Sequence, residues 1–286
     1  HIRRREAETG KHFNLTLTTN TILLDEEKLA FLNRENIQLI LSIDGRREVH
    51  DRMRPFADGA GSYDMVLANM HRVVDSRHGQ NYFARGTYTA YNTDFAADVL
   101  VLADQGFLRL SVEPVVGKGE PYELTEAHLP ELYRQYDLLA AEYLRRKAAG
   151  CGFEFFHFNV DLQNGPCLVK RLSGCGAGHE YFAVTPDGDL YPCHQFVGRD
   201  GFKVGNVFDG IERREICREF REAHVLTKEE CRSCWARFYC SGGCHANAHA
   251  YNGTIHIPYQ MGCALQKKRL ECAIYVQIGL RRQRKG

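Results

Sequence analysis

The chain has 286 residues, 44% hydrophobic and 26% charged, with 37 basic against 36 acidic residues and a formal net charge of +1. That composition suits one large or two smaller globular domains, and so even a balance gives no global field to attract nucleic acid or a membrane surface. No apolar run approaches the roughly 20 residues that cross a bilayer, and the opening His1-Ile2-Arg3-Arg4-Arg5 does not read as a signal peptide, so the expectation is a cytoplasmic protein with no nucleic-acid or membrane partner.

Residues 12–18 alternate as a strand, and residues 25–33 read as a helix with Asp25 as N-cap. Ile37, Leu39, Leu41 and Ile43 repeat with period two, which predicts a second strand. A helix follows over Tyr63–Ser76, with Met65, Val66, Met70, Val73 and Val74 on its apolar side. Residues 81–89 are β-rich, 94–105 are helical up to Gly106, and 107–116 form another strand. Residues 124–149 hold one or two helices, and 152–160 a further strand. Alternation of strand and helix implies parallel strands joined by right-handed crossovers, in a doubly wound sheet or a barrel. About four units are visible, too few for an eight-unit barrel. In such folds chemistry gathers at the C-terminal strand ends. Polar phrases stand there: Thr18-Thr19-Asn20, Ser42-Ile43-Asp44-Gly45, Arg85-Gly86-Thr87 and Glu113-Pro114. The basic end, Arg281, Arg282, Arg284 and Lys285, reads as a solvated terminus.

The 11 cysteines break this pattern, because none precedes Cys151. From about Gly165 the chain is rich in glycine and cysteine, and a domain boundary is expected near residue 160, giving domains 1–160 and 161–286. Cys231, Cys234, Cys240 and Cys244 form Cys-x2-Cys-x5-Cys-x3-Cys, with Cys263 after 18 residues. Upstream, 17 residues separate Cys175 from Cys193, Gly188 lies between them, and Cys167 precedes both. Thiolates at such spacing supply the outer ligands of iron–sulfur clusters. Ser241-Gly242-Gly243 is expected to let the backbone pass close to a bulky group. Structural zinc uses similar pairs, so the cysteines with Cys167 fit two four-ligand sites of either metal. A disulfide network suits a shorter secreted chain. Cys151, Cys217 and Cys272 lack ligand spacing, and Cys272 reads as a core thiol in a helix.

Cys-x12-Gly-x4-Cys from Cys175 to Cys193, the four-cysteine run, the final cysteine, residues 185–193 and Gly205-Asn206-Val207 resemble the SPASM domain of radical S-adenosylmethionine (SAM) enzymes that modify peptides. The first half is similar to the later part of their partial (β/α)6 barrel. The resemblance implies an α/β fold in which that barrel portion is followed by a small cysteine-rich cluster domain. Residues 85–89, 111–116 and 239–248 look most like the maturases of SCIFF peptides, which join a cysteine sulfur to an α-carbon in a thioether. The runner-up within the class is an anaerobic sulfatase-type maturase that makes formylglycine. A zinc-stabilised peptide-binding module without catalysis is the alternative from another class. The family's Cys-x3-Cys-x2-Cys loop, which binds the SAM-cleaving cluster, has no counterpart here, so the expectation is a C-terminal portion that is inactive by itself.

By resemblance, one auxiliary 4Fe–4S cluster takes Cys231, Cys234, Cys240 and Cys263. A second takes Cys175, Cys193 and Cys244, with Cys167 or an open position as its fourth. SAM and a third 4Fe–4S cluster belong to the full-length enzyme. Implied partners are a small cysteine-rich precursor peptide and a reductant such as ferredoxin or flavodoxin. Asn20, Ser42, Asp44 and Arg85 are the candidate SAM contacts, each with a structural reading beside it: turn and capping bonds for the first three, an ion pair for Arg85. Glu113 is a further candidate with a structural role equally open to it. Trp235 and Tyr239 are expected to shield a cluster from water, and His179, His194, His245 and His249 to support ligands or face solvent.

Overall fold

The computed structural model describes residues 1–162, 165 and 167–283. After a short exposed helix α1 (Ile2–Thr9), five parallel strands lie side by side in chain order: β1 (Thr16–Thr19), β2 (Gln38–Ser42), β3 (Tyr82–Tyr88), β4 (Arg109–Pro114) and β5 (Glu154–Phe155). The crossovers run through α2 (Glu26–Arg34), α3 (Arg47–Met53) with α4 (Tyr63–Ser76), α5 (Phe95–Asp104) and α6 (Leu129–Ala148). Asp25 caps α2 by accepting the Lys28 N–H at 2.9 Å. Acidic Glu26 and Glu27 in its first turn complement the helix dipole.

Period two divides the sheet into unlike faces. Leu39, Leu41, Ala84, Tyr88, Leu110 and Val112 are fully buried under the helices. There they meet Val66, Met70, Val73, Phe95, Val99 and Leu139. The other face carries Ile40, Ser42, Phe83, Arg85, Thr87, Arg109, Ser111 and Glu113. In register, Ser42 is beside Arg85, Arg85 beside Ser111, and Thr87 beside Glu113. A polar row therefore crosses three strands on the face that no crossover helix covers. In α4, Met65 is exposed while Val66, Met70 and Val73 are buried, so the apolar stripe is one residue narrower than its periodicity predicts. The predicted strand over 152–160 is cut to two residues by a 3-10 turn at Phe156–Phe158. Phe155 and Phe158 both enter the core, a spacing that an extended strand cannot meet on one face.

The cysteine-rich region has its own core of Ala177, Cys193, Phe196, Val204, Ile216, Phe220 and Ala246 beneath a small antiparallel sheet. That sheet is β6 (Ala183–Val184), β7 (Asp189–Tyr191), β8 (Gly205–Asn206) and β9 (Gly210–Ile211). Gly188 turns between β6 and β7 at φ 86°, and a Cβ there would stand 2.8 Å from Val207. Helices α7 (Arg214–Glu222), α8 (Glu229–Arg232), α9 (Arg237–Cys240) and α10 (His245–Asn252) follow. The last helix, α11 (Gln260–Gln283), leaves this region and lies along α6. Its Met261, Leu265, Cys272, Ala273 and Val276 belong to the core of the parallel sheet. Gln277 Nε2 donates to Phe158 O at 3.0 Å. Cys272 is the core thiol expected from its apolar surroundings. Arg284 and Lys285 of the basic end lie outside the described residues. Among the described residues no helix is long and apolar enough to cross a membrane.

Phe95 stacks on Tyr88 at 4.3 Å and meets Tyr136 edge-on at 4.8 Å, with no solvent exposure. Phe95→Ala is expected to lower unfolding stability by about 3–5 kcal/mol, measured as a shift of the urea midpoint at constant m-value.

Candidate metal centre and strand-end site

Three separate segments bring Cys231, Cys234, Cys240 and Cys263 to one pocket, also lined by Glu230, Arg237, Gln260 and Lys267. Cys231 sits on α8, Cys234 two residues past it, Cys240 ends α9, and Cys263 is in the first turn of α11. Burial, then the neighbouring Cys240 and Cys231, push the Cys263 thiol up to about 11. Burial likewise raises Cys231 and Cys240. Such thiols give up their protons when a cation replaces them, so metal binding here competes with protonation.

Ser241, Gly242 and Gly243 have φ of 63°, 84° and 74°. This left-handed run turns the N–H groups of Gly242 and Gly243 onto the Cys240 sulfur, as in the backbone nests that hold anions. A Cβ at Gly243 would meet nothing within 4 Å, so φ, and not a close approach within the chain, is what calls for glycine there. Cys244 is the N-cap of α10, and the N–H groups of Asn247 and Ala246 point at its sulfur. Cys175 and Cys193 are its neighbours in a second group. Burial raises Cys193, opposed by the amides of Gln195 and Phe196. Cys167 is exposed.

All 11 cysteines are free thiols. Among the described residues, no three His, Cys, Asp or Glu side chains converge tightly enough to hold a single metal ion. Ser241 Oγ, His245 Nδ1, Asn247 Oδ1 and His249 Nδ1, all within five residues of Cys244 along the chain, are buried with no hydrogen-bond partner among the described residues. Grouped thiols, amides aimed at sulfur and orphaned polar atoms are the kind of donor set that a bound metal group uses.

The four histidines divide. Burial, then Lys228, brings His245 down to about 4, and its Nε2 donates to Ala223 O at 2.9 Å. The His249 ring meets Phe202 edge-on at 4.9 Å. His179 contacts Ser173 Oγ at 3.2 Å and His194 the Tyr181 hydroxyl at 3.1 Å. Trp235 is 55% exposed, so it does not wall off the thiols as expected. Tyr239 is partly buried and donates to Asp161 O at 3.4 Å.

At the strand ends, Asn20 is exposed and its Oδ1 accepts the Ile22 N–H at 3.3 Å. Ser42 is half-buried beside Arg85. Asp44 is buried, and its carboxylate is already taken: Arg54 donates to both oxygens at 2.6 and 3.0 Å, and Thr87 N–H to one at 2.9 Å. Arg85 pairs with Glu113 across β3 and β4. His157, which sequence reasoning missed, closes this row. Its Nε2 is 3.2 Å from Ser111 Oγ and 3.9 Å from Glu113. Burial, then Arg269 of α11 and Arg85, hold it well below 6.5, so the imidazole is neutral. Only the short 3-10 turn aims it there, a feature that period-two reasoning hides.

Residues 175–235 match the family model described as SPASM, an iron–sulfur cluster-binding domain. An uncharacterised protein of Archaeoglobus fulgidus is 27% identical over 90% of this chain and 62% of its own length. A cysteine-type anaerobic sulfatase-maturating enzyme of Clostridium novyi is 23% identical, over 81% of this chain and 64% of its own length. The mycofactocin maturase MftC of Mycobacterium ulcerans is 28% identical, over 83% and 64%. The chain thus spans less than two thirds of the length of these relatives. The solved structure of native anSMEcpe with bound AdoMet superposes with a TM-score of 0.78 at 19% identity, over 98% of this chain and 78% of that one. The same protein with AdoMet and the Cp18Cys peptide gives 0.76. These structures share the fold: a partial parallel barrel followed by a cysteine-containing antiparallel region.

Free imidazole titrates near 6.5, whereas folded His157 stays neutral well below that value. Below about pH 6.5 the unfolded chain therefore binds a proton that the folded chain refuses, and stability falls as pH drops towards the folded pKa. His157→Gln is expected to make the stability–pH slope below about pH 6.5 shallower, as followed by urea denaturation at several pH values.

Proposed function

We propose that this chain is the cluster-bearing portion of a radical SAM maturase that acts on a peptide or protein substrate. The observation that supports this most is the convergence of Cys231, Cys234, Cys240 and Cys263 on one pocket, with Cys175, Cys193 and Cys244 as a second group beside it. Two auxiliary 4Fe–4S clusters are the proposed occupants. When bound, they would supply thiolate-binding iron and a store for one electron. The polypeptide's part is to hold the thiols in place, aim amide N–H groups at their sulfurs and limit water around the buried members.

The relatives named as cysteine-type anaerobic sulfatase-maturating enzymes favour oxidation of a cysteine side chain to formylglycine. The SCIFF-like phrases at residues 85–89, 111–116 and 239–248 support the second reading, thioether formation. On either reading the polar sheet face is the proposed SAM and substrate side, with a peptide as substrate and ferredoxin or flavodoxin as reductant. Asn20, Ser42 and Arg85 remain its proposed SAM contacts. Arg85 would exchange Glu113 for the SAM carboxylate, a trade between equal charges that a guanidinium fork permits. Asp44 would act through Arg54 and Thr87, which already use its oxygens. Cys167, which is exposed, or an open position is the proposed fourth ligand of the second site.

After anaerobic reconstitution, iron and acid-labile sulfide are expected at about eight each per chain, and Cys231→Ala should lower both towards half. Stoichiometric zinc with little sulfide would overturn the reading. With the full-length enzyme, product mass separates the two outcomes: a thioether keeps the sulfur and loses a pair of hydrogens, whereas formylglycine made from cysteine loses the sulfur.

A further inference from the structure

Lys228 is the one buried lysine among the described residues, at 1% exposure. It lies just before α8, and its ammonium donates to Gly242 O at 3.0 Å. Gly242 sits between Cys240 of the first thiol group and Cys244 of the second. After burial, the largest electrostatic influences on Lys228 are those of Cys231, Cys240, Cys244 and Cys263, members of both groups. Burial is the largest effect and lowers the lysine pKa from its ordinary value, and the four cysteines oppose it. A buried ammonium without an anion is strongly disfavoured, and thiolates of both groups would supply one here.

We propose that Lys228 is a positioning residue, the counter-cation shared by the two thiolate groups. The inference rests on the cluster reading above. A four-iron core held by four thiolates is anionic as a whole, and reduction adds a further negative charge. A fixed ammonium close by offsets that charge, and net charge is one of the protein's levers on cluster potential. Lys228 thereby raises the potential of the Cys231 group most, because three of its four thiolate neighbours belong there. Its hydrogen bond to Gly242 O also ties the left-handed loop whose amides face Cys240.

The test is an anaerobic redox titration of the reconstituted protein, followed by electron paramagnetic resonance, with iron counted first. Lys228→Met is expected to keep its iron and to disfavour reduction about tenfold, which for a one-electron couple is about 59 mV; Lys228→Arg should match the wild type. A Met variant with full iron and an unmoved potential overturns the proposal. If Lys228→Met and Lys228→Gln both lose iron while Lys228→Arg keeps it, the charge is needed to hold the clusters and the proposal stands. If Lys228→Arg loses iron as well, the side chain is a strut and the proposal falls. A wild-type chain without iron and sulfide instead overturns the cluster reading itself, before any variant is compared.

Discussion

The packing of α11 along α6 is the constraint on which the rest of the architecture depends. A helix of 24 residues is about 36 Å long and nearly rigid. Its first turn carries Cys263 into the thiol pocket. Two turns on, Arg269 acts electrostatically on Cys240 on one side and on His157 on the other. Its second half is buried in the sheet's own core through Cys272, Ala273 and Val276. Shifting this helix by one turn would move all three at once. The cysteine-rich region has too small a core to stand far from such support. Its docking is therefore achieved by lending a helix to the larger core.

The sheet contributes the complementary half. One face is given wholly to aliphatic and aromatic burial, and that burial holds the strands in register. The opposite face is then free to carry charge. Its charges do not stand alone: Arg85 pairs with Glu113, and Arg54 with Asp44. Pairing satisfies these groups and leaves a partner exchangeable where it is half-exposed, as Arg85 is. His157 takes the other course and is kept neutral by burial and by two arginines. A neutral imidazole beside Ser111 and Glu113 can give or take a hydrogen bond without adding charge to the face.

The cysteine region solves a different electrostatic problem. Several thiolates close together repel, and burial makes each harder to ionise. The chain responds with amides aimed at Cys240 and Cys244, with the N-terminus of α10 and with one buried lysine. Each device stabilises negative charge on sulfur without offering a competing ligand. Polar atoms left without partners within five residues of Cys244 along the chain mark where the protein's own hydrogen bonding is incomplete.

By itself the sequence determined the alternation of strands and helices, the N-cap at Asp25, the span of α4 and the grouping of cysteines by spacing. These are local matters: periodicity, capping and short loop closure depend on neighbours along the chain. By spacing it left open which cysteines share a pocket; only the resemblance grouped Cys263 with Cys231, and the path of α11 is what carries it there. It gave no sign of His157 or Lys228, since a lone histidine in an aromatic run and a lysine among glutamates look like ordinary residues. It over-extended β5, where Phe155 and Phe158 both had to enter the core, and it over-estimated the cover that Trp235 provides. Burial decided each of these, and burial is set by segments far apart in sequence. Strands, helices and ligand types were thus local consequences of the chain. The tertiary structure alone decided which charges are exposed, which are paired, and which one lysine lies between two sets of thiols.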